Sequence, residues 1–524
     1  MVQRGRSAAR ASRPGPTARA FIRSLMNHPP VHDVVIAGAG PVGLLLAGEL
    51  ALAGLRVLVL ERDAQSDAPL KRAPLGTRGL SVATAEALHR RGLLDALLAT
   101  PGTRVAGPAQ PGHFAGLDLD PAKIDATRWS WRLAGPADAT IAADLASVEA
   151  VLAQRAVALG VDLRRGQAVT GIGMLDDGVA VHAGAAVHHG RWLVGCDGGR
   201  SAVRKLAGFK FAGTEPEFTA YSALVELADP AALPAGRHVT PAGFYLHEAG
   251  RLAIADFDGG AFDRDGPLTR EHLQAVLRRV SGTEATLAAV HQATTFTDRA
   301  RQATRYRRGR VLLAGDAAHV HSALGGQGLN AGLGDALNLG WKLAATVRGT
   351  APAGLLDSYE AERHPVGAWV LDWTRAQAAL MRPGAATRAL EGVVRGLIDT
   401  VDGATAIAAQ LWGVAWRYEF GSGHALAGRS APDFAFADGT RLAERLRDGR
   451  GVLVDFAGGD ACRDTIAPWS DRVRHVAAGA RDELGLAALL VRPDGVVAWA
   501  ADAGSRADGL EAAAATWFGA PLAQ

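Results

Sequence analysis

Short apolar runs and helix-like stretches alternate at the start of the chain. Residues 34–37 and 56–60 are apolar runs of strand length, and the stretch 34–60 also carries Pro41, Glu49 and several glycines. A membrane span would be continuously apolar, so this pattern favours a strand, a helix and a second strand. That order of elements is typical of an α/β fold.

The turn between the first strand and its helix is rich in glycine. In IAGAGPVG, residues 36–43, Gly38 allows a tight turn, Gly40 lets the backbone approach a pyrophosphate, and Gly43 lets the helix pack closely on the sheet. Pro41 and Val42 belong to the same turn, where the helix N-terminus faces two phosphates. We therefore predict a dinucleotide site at this turn.

An acidic residue follows the second strand at a spacing that suits the same ligand. Glu61 comes directly after the run 56–60, where dinucleotide-binding folds place an acid that binds ribose hydroxyls. Arg62 adds a cation beside it. A glycine fingerprint alone is weak evidence, but here a strand, a helix and an acid accompany it.

Two later segments also read as a strand, a turn and a helix. Residues 191–208, RWLVGCDGGRSAVRKLAG, place Asp197 at the turn. Residues 309–344, GRVLLAGDAAHVHSALGGQGLNAGLGDALNLGWKLA, deliver Asp316, then a glycine-rich turn, then a long helix that starts near Gly328. Asp316 can accept hydrogen bonds from a sugar-like chain. The helix start presents free N–H groups and a positive dipole end, which suit an electron-rich ring edge or a developing anion.

The segment 211–304 between these motifs is strand-like in FTAYSALVEL, GFYLHEA and RLAIADFD and helix-like in EHLQAVLRRV. In GFYLHEA, Tyr245 and His247 alternate with Phe244 and Leu246, so the two pairs face opposite ways. Amphipathic helices follow around residues 376–400. Near the end of the chain, the turn at 493–495 between two apolar runs predicts a hairpin.

Length and composition limit the class of protein. A chain of 524 residues with 48% hydrophobic and 21% charged residues suggests two or three globular domains without a membrane span. Cys196 and Cys462 form no C-x-x-C pair, and His319 with His321 is too small a set for a metal, so we expect no metal site and a reducing, cytoplasmic location. The 56 basic residues are nearly balanced by 53 acidic ones, which argues against nucleic-acid binding despite the net charge of +3.

The first 25 residues carry arginines but no acid. We expect residues 1–30 to form a disordered basic arm. A targeting presequence and a nucleic-acid arm are alternatives, and an upstream start codon chosen in place of Met26 is the favoured interpretation. A secretory signal is disfavoured because no apolar core follows the arginines.

Three ordered motifs resemble those of one known family. They are GAGPVG with Glu61 and Arg62, then CDGGRSAVR, then GDAAHVHSALGGQGLN followed by DALNLGWKLA and SYEAERHPV. From residue 31 to about 524 the chain resembles the para-hydroxybenzoate hydroxylase-like flavin-dependent aromatic hydroxylases, or group A flavoprotein monooxygenases. The resemblance implies a Rossmann-type FAD-binding domain of the glutathione reductase type at 31–210 and 305–380, interleaved with a β-sheet substrate domain at 211–304, then a helical connection at 381–425 and a thioredoxin-like domain without C-x-x-C at 426–524.

The resemblance also implies which residues contact the cofactors. The FAD contacts would be Gly38, Gly40, Pro41, Val42, Gly43, Glu61, Arg62, Arg78, Asp197, Asp316, Gly325, Gly326, Gly328, Leu329 and Asn330. Arg72 is the alternative to Arg78, and Arg200 and Arg204 are candidates for NADPH. Ala323 stands where the family commonly has a proline, and Leu145 where relatives often have a glutamine, which puts one cofactor contact in doubt.

The implied chemistry is a hydroxylation in two half-reactions. NADPH or NADH would reduce the flavin, which would then activate O2 as a C4a-hydroperoxide and oxidise a small aromatic substrate of phenolic or polyketide type. A sheet laid over the flavin would exclude water. Tyr245 or His247 could orient or deprotonate a phenol, although a structural role is favoured for each. Trp129 and Trp131 could form an aromatic wall.

Other functions on the same scaffold stay open at this point. Baeyer–Villiger insertion and epoxidation are alternatives, and a nucleotide-binding protein without turnover is a weaker one. Halogenation is rejected because the sequence shows no convincing catalytic lysine after the first motif. Since Cys462 stands alone in the C-terminal region, that region cannot perform dithiol chemistry and is expected to serve packing or homodimer contacts.

Overall fold

The computed structural model describes residues 32–105, 112–248, 250–263, 266–421, 423–505 and 508–522. The predicted basic arm and Met26 lie outside the described residues. The α-helices of the described residues, in chain order, are α1 Pro41–Leu52, α2 Val82–Arg90, α3 Leu94–Leu98, α4 Leu145–Ala158, α5 Ala202–Leu206, α6 Arg270–Ser281, α7 Gln327–Arg348, α8 Asp357–Met381, α9 Ala385–Ile398, α10 Val401–Leu411, α11 Leu442–Arg445, α12 Asp460–Ile466 and α13 Leu510–Phe518.

The main sheet carries the predicted strand–helix–strand unit. Its central strands are parallel, and their apolar residues 34–37, 57–60 and 192–194 are buried, which explains why these stretches read as continuous apolar runs. α1 packs against α4 and α7 beside this sheet. The strands in order are Arg307–Arg308, Val311–Leu313, Ala186–Gly195, His32–Ala37, Val57–Leu60 and Asp162–Arg164. Off this path, Val179–Ala183 pairs with Ala186–Gly195, and Val169–Met174 pairs with Val179–Ala183.

The middle sheet contains the strands expected between the second and third motifs. One of its faces is covered by α6, where Tyr221, Tyr245 and Ile254 pack with Leu273 and Val276. Its strands in order are Gly236–Thr240, Gly243–Glu248, Arg251–Asp256, Thr219–Leu227 and Leu287–Thr297, all antiparallel. Shorter sheets accompany these. One contains Phe211–Thr214, Ala300–Ala303 and His319–Val320, and another contains Thr77–Leu80, Ile141–Asp144 and Arg104–Val105. A two-stranded sheet pairs His113–Phe114 with Leu117–Asp118.

The C-terminal sheet has the strand order Val473–Ala477, Gly451–Asp455, Leu486–Val491 and Val497–Asp502. The last two strands are antiparallel and joined by the turn at 493–495, so the predicted hairpin is confirmed. α12 and α13 cover one face of this sheet, where Cys462 and Leu510 are buried with Leu453. Cys462 and Cys196 are both free thiols, and burial raises the pKa of each.

Buried arginines hold the C-terminal sheet to the first part of the chain. Arg91 donates to both carboxylate oxygens of Glu49 at 2.7 Å and also donates to the carbonyls of Leu446 and Pro493 at 2.9 and 2.7 Å. From the other side, Arg492 donates to both oxygens of Glu362 at 2.9 Å. Each charge is fully paired, which buried ions require.

Replacing Arg91 with alanine should strongly destabilise the protein. The change leaves the Glu49 carboxylate buried without its partner, a loss of about 3–5 kcal/mol for pairs of this kind. The free energy of unfolding in urea measures it. Arg72→Ala is the matched control, because Arg72 pairs with Asp67 at the surface and its loss should change little. Equal effects of the two substitutions would contradict the role given to Arg91.

Lys342 makes the same junction sensitive to pH. The side chain is fully buried, and its Nζ lies 2.8 Å from Glu362 Oε1 as an ion pair without regular hydrogen-bond angles. Burial and the nearby Arg492 lower the pKa of Lys342 to about 7. Burial alone would raise the pKa of Glu362, but Arg492 and Lys342 lower it to about 2. At neutral pH the carboxylate is therefore charged and the amine is close to half-protonated.

The stability of the wild type relative to Lys342→Met should rise between about pH 7 and about pH 10. An unfolded lysine has a pKa of about 10.4, so in this window the unfolded state binds more protons than the folded state. The cost of burying the charge is complete below the folded pKa and is relieved as pH increases. Unfolding free energies of both proteins at the two ends of the window measure the change. A difference that stays constant with pH would show that Lys342 is not perturbed.

Candidate functional site

The three glycines of the first motif have different surroundings. Gly38 has φ 103°, and a Cβ there would come within 2.4 Å of the Cys196 carbonyl oxygen; a Cβ at Gly43 would come within 2.0 Å of the Gly38 oxygen. These two positions are closed by protein. A Cβ at Gly40, which caps α1, would meet nothing within 4 Å. The open space in front of the helix N-terminus therefore lies at Gly40, as a bound pyrophosphate requires.

Glu61 is held at the edge of this turn. One carboxylate oxygen accepts the Ala39 N–H at 2.7 Å, and the other accepts the Asp63 N–H at 2.9 Å. These bonds fix the side chain beside the glycines. Arg62 is three-quarters exposed and pairs with its neighbour Asp63 at 3.0 Å. The structure thus brings Glu61 to the turn and leaves Arg62 at the surface.

The second motif has structural tasks that the sequence did not reveal. Asp197 accepts the N–H groups of Ala202 and Val203 at 2.6 and 3.0 Å, so it caps α5. Arg204 is buried, and it donates to the carbonyls of Ala317 and Gly199 at 2.9 and 2.7 Å. Burial lowers the pKa of Arg204. Arg204 therefore ties the second motif to the third.

The third motif forms the loop before α7. Asp316 lies exposed in the 3-10 turn Gly315–Ala317, and the turn Leu324–Gly326 follows it. Gly325 and Gly326 have φ of 75° and 67°, a conformation that favours glycine. α7 begins one residue before the predicted Gly328, at Gln327. A Cβ at Gly328 would lie 2.7 Å from His321 Nε2, so the imidazole packs directly on this glycine.

Asn330 connects the start of α7 to the segment around Arg78. Its carbonyl oxygen accepts the Ser81 N–H at 2.8 Å and the Thr84 hydroxyl at 2.7 Å. Its amide nitrogen donates to the carbonyls of Gly79 and Gly326 at 3.0 and 2.9 Å. With these four bonds the side chain acts as a brace, while the preceding Leu329 packs against the core of the main sheet.

The structure distinguishes between the two candidate arginines. Arg72 is exposed and makes two bonds to Asp67, at 2.8 and 2.9 Å. Arg78 is half-buried and donates to the carbonyls of Leu75 and Thr77. No carboxylate pairs with Arg78 in the part of the chain that the structure describes, and burial lowers its pKa. Arg78 is therefore the one suited to an anionic or electron-rich ligand.

A buried carboxylate that sequence analysis missed holds the loop in place. Asp335 accepts the Gly315 N–H at 3.0 Å, lies 2.8 Å from His319 Nε2 and accepts Arg363 Nε at 2.7 Å. Arg363 also donates to the Tyr418 hydroxyl at 2.9 Å. Burial opposes the charge on Asp335, but Arg363 and His319 keep its pKa below the usual value. Asp335 belongs to the motif DALNLGWKLA and Arg363 to the motif SYEAERHPV. Their place in these two motifs was the sequence feature that could have pointed to the pair.

The four aromatic candidates fall into two groups. Tyr245 lies on the α6 face of the middle sheet, and strand alternation puts His247 on the same face. Phe244 lies on the opposite face, in contact with the cluster that contains Leu324 of the loop. Trp129 packs edge-on against Trp412, and Trp131 lies under the Arg429 guanidinium. Trp131 and Leu324 of the loop both pack against the cluster that contains Trp129, and the aromatic wall stays a prediction.

The described residues contain no group of His, Cys, Asp or Glu arranged to hold a metal ion. Among them there is also no helix long and apolar enough to cross a membrane.

Of the two departures from the family pattern, Leu145 is the first residue of α4, and Ala323 caps the turn before α7. Glu149 of α4 pairs with Lys71 at 2.7 Å.

Comparison with known proteins agrees with this geometry. Residues 31–374 match the FAD binding domain family, and residues 424–521 match the C-terminal domain of aromatic-ring hydroxylases. A monooxygenase of Claviceps purpurea (strain 20.1) is 44% identical over 500 residues, covering 93% of this chain and 98% of the relative. OxyS anhydrotetracycline hydroxylase from Streptomyces rimosus superposes with a TM-score of 0.84 at 39% identity, covering 94% and 100% of the two chains. A dialkyldecalin synthase of Streptomyces rugosporus is 38% identical over 498 residues, covering 93% and 98%.

The protein is therefore a flavoprotein of the aromatic-ring hydroxylase class. More particularly, the chain belongs to the group A flavoprotein monooxygenases and is an FAD-dependent monooxygenase. The space in front of Gly40 has room for a phosphate group, and within the described residues Arg78 has no carboxylate partner.

Replacing Gly40 with alanine should weaken FAD binding without unfolding the protein. The new methyl group has room within the protein but occupies the space in front of α1, so we expect at least about a tenfold higher Kd, or about 1.4 kcal/mol. Fluorescence titration of the apoprotein with FAD measures it. Gly48→Ala, in the same helix and equally free of contacts, is the matched control. Equal Kd values for the two variants would show that the cofactor does not approach Gly40.

Proposed function

We propose that the protein is an NAD(P)H- and O2-dependent monooxygenase that hydroxylates an aromatic substrate of phenolic or polyketide type. One observation carries the proposal: the first and third motifs meet at Val42. Cβ atoms at Gly315 and Gly332 would lie 3.0 and 2.7 Å from the Val42 side chain. The pyrophosphate turn and the loop before α7 therefore border one cleft, as a single extended flavin cofactor needs.

In this proposal the two ends of FAD have separate sites on the chain. Gly40 and the N-terminus of α1 face the pyrophosphate, Glu61 faces the adenosine ribose, and Asp316 faces the ribityl chain. The segment 325–330 and Arg78 line the ring. When bound, FAD would supply hydride uptake from a nicotinamide and activation of O2.

The protein's own contribution is orientation and electrostatics. α7 begins at the ring site, and the free N–H groups and dipole of its first turn stabilise negative charge there. Asn330 and Asp335 keep the loop fixed while charge develops. No side chain is required as a nucleophile, so a site without one fits this reaction.

The face of the middle sheet that carries Phe244 supports an aromatic substrate. Phe218, Phe257 and Phe296 belong to the same cluster as Phe244 and Leu324. Such a surface offers flat apolar contacts to an aromatic ring and excludes water from the reaction site. We therefore assign substrate positioning to this face in place of Tyr245 and His247, which lie on the α6 side.

A basic groove supports the use of a pyridine nucleotide. The groove has a volume of about 780 Å³ and reaches Asp316 from the surface between the second motif and the middle sheet. Its cationic lining is Arg200, Arg204, Lys205, Arg299 and Arg301. We propose that NADPH or NADH binds here, with the Arg200 guanidinium of the groove lining in contact with a phosphate.

The finer domain assignments belong to the same proposal. We infer the boundaries given by the resemblance, with a thioredoxin-like fold at 426–524 that packs against the rest of the chain and performs no dithiol chemistry. The C-terminal sheet with α12 and α13 supports this assignment. A homodimer stays a prediction, and light scattering of the purified protein tests it.

The first experiment is spectroscopic and catalytic. The purified protein should show flavin absorption, and one member of a panel of phenolic and quinone-like compounds should accelerate NADPH oxidation. Labelled O2 should place one oxygen atom in a phenolic product. An ester or epoxide product would indicate Baeyer–Villiger insertion or epoxidation. A flavoprotein that converts a compound without taking up oxygen would overturn the proposal.

Replacing Arg200 with alanine should raise the KM for NADPH by about tenfold, the effect of losing one charge-assisted bond of about 1.4 kcal/mol, with the FAD content unchanged. Steady-state kinetics with NADPH as the varied substrate measure this effect. Arg72→Ala is the control, because it removes an exposed arginine outside the groove. If KM is the same in both variants, the nucleotide binds elsewhere.

A further inference from the structure

A second, smaller cavity lies on another side of α7. It has a volume of about 150 Å³ and is bounded by α2, α7, α8 and residues 424–521, which we call the C-terminal unit. Pockets for drug-sized or larger ligands occupy roughly 300–1,000 Å³, so a substrate of polyketide size does not fit here. The cavity is separate from the basic groove at Asp316, and the mechanism proposed above does not use it.

The cavity follows one face of α7 from its first turn. The α7 residues that line it recur every three or four positions and are Gln327, Asn330, Ala331, Leu333, Gly334, Leu337 and Asn338. At about 1.5 Å of rise per residue, this lining extends about 16 Å along the helix. The lining includes Asn330, beside the proposed ring site, and also Ser430 and Gly495 of the C-terminal unit.

The lining of the cavity combines polar residues, among them Ser81, Thr84 and Asn338, with a larger apolar surface. Ala87 and Leu88 of α2, Leu333 of α7, and Val366 and Val370 of α8 line it. Apolar cavities of about 150 Å³ stay dry and accept xenon or other small apolar molecules.

The charged groups at its outer edge are already partnered. Arg363 pairs with Asp335 at 2.7 Å, and Arg90 lies 3.6 Å from Glu86. No ion is needed to neutralise them. A small, neutral, apolar occupant is therefore the chemistry that this lining selects.

We infer that this cavity conducts dioxygen along α7 to the flavin ring. The inference rests on the proposed function, in which O2 is the apolar co-substrate that must reach the start of this helix. A separate route allows O2 to arrive while the substrate covers the ring from the middle sheet and the pyridine nucleotide uses the basic groove.

Pressurising crystals of the FAD-loaded protein with xenon tests the occupant directly. Xenon should appear between Ala87, Leu333 and Val370 in the wild type and should disappear in Ala87→Leu, whose side chain fills that space. Ordered water throughout the cavity, with no xenon, would overturn the inference. This measurement does not depend on activity.

Stopped-flow kinetics test the route without any substrate. Photoreduced enzyme is mixed with buffers of increasing O2 concentration, and flavin reoxidation gives a second-order rate constant. Ala87→Leu and, independently, Val370→Phe should lower this constant several-fold while FAD affinity and reduction by NADPH stay unchanged. Ala153→Leu, at a half-buried alanine of α4 outside the cavity, is the matched control.

The outcomes separate this inference from the proposed function. A protein that binds no FAD, or whose reduced flavin is not reoxidised by O2, contradicts the proposed function itself. If FAD binds and reoxidation is as fast in folded Ala87→Leu and Val370→Phe as in the control, the monooxygenase proposal stands and the dioxygen route is wrong.

Discussion

The buried carboxylate of Asp335 is the contact on which the arrangement of the site depends. It binds the N–H of Gly315 at the end of a main-sheet strand, the imidazole of His319 in the loop and the guanidinium of Arg363 on α8. An isolated buried charge is costly, so the carboxylate favours conformations in which all three donors are present. Loop, sheet and helix are thereby fixed together, and a rigid support of this kind is what a cofactor-binding loop needs.

Close backbone packing supplies the other half of this rigidity. Gly43 lies against Gly38, Gly332 lies against Val42 and Gly315, and in each case a Cβ would come closer than van der Waals contact allows. These positions tolerate little displacement because neighbouring backbone or a branched side chain fills the space. Of the three glycines in the first motif, Gly38 and Gly43 are enclosed by protein, and Gly40 faces the open space that the proposed cofactor would use.

The sequence was sufficient for the parts of the site that are local in the chain. The end of the first strand, the glycine turn and Glu61 lie within 26 residues of sequence, numbered 36–61. The physical reason for each residue type can be seen in this segment alone. It was insufficient where a role depends on distant partners. The bonds of Asp197 and Arg204 to backbone groups could not be read from the sequence. Strand alternation separated Tyr245 and His247 from Phe244 and Leu246 but could not tell which of the two pairs α6 covers. Asp335 needs Arg363, 28 residues away, to be understood.

α7 joins the flavin site to the C-terminal unit through three successive contacts. Its first turn carries Asn330, its third turn carries Asp335, and its second half carries Lys342, which lies beside Glu362 and Arg492. Because a helix moves largely as one body, a change in the contacts of Arg492 would also displace the start of α7. The C-terminal unit is therefore linked through Arg492, Glu362 and Lys342 to the helix that carries Asn330 and Asp335.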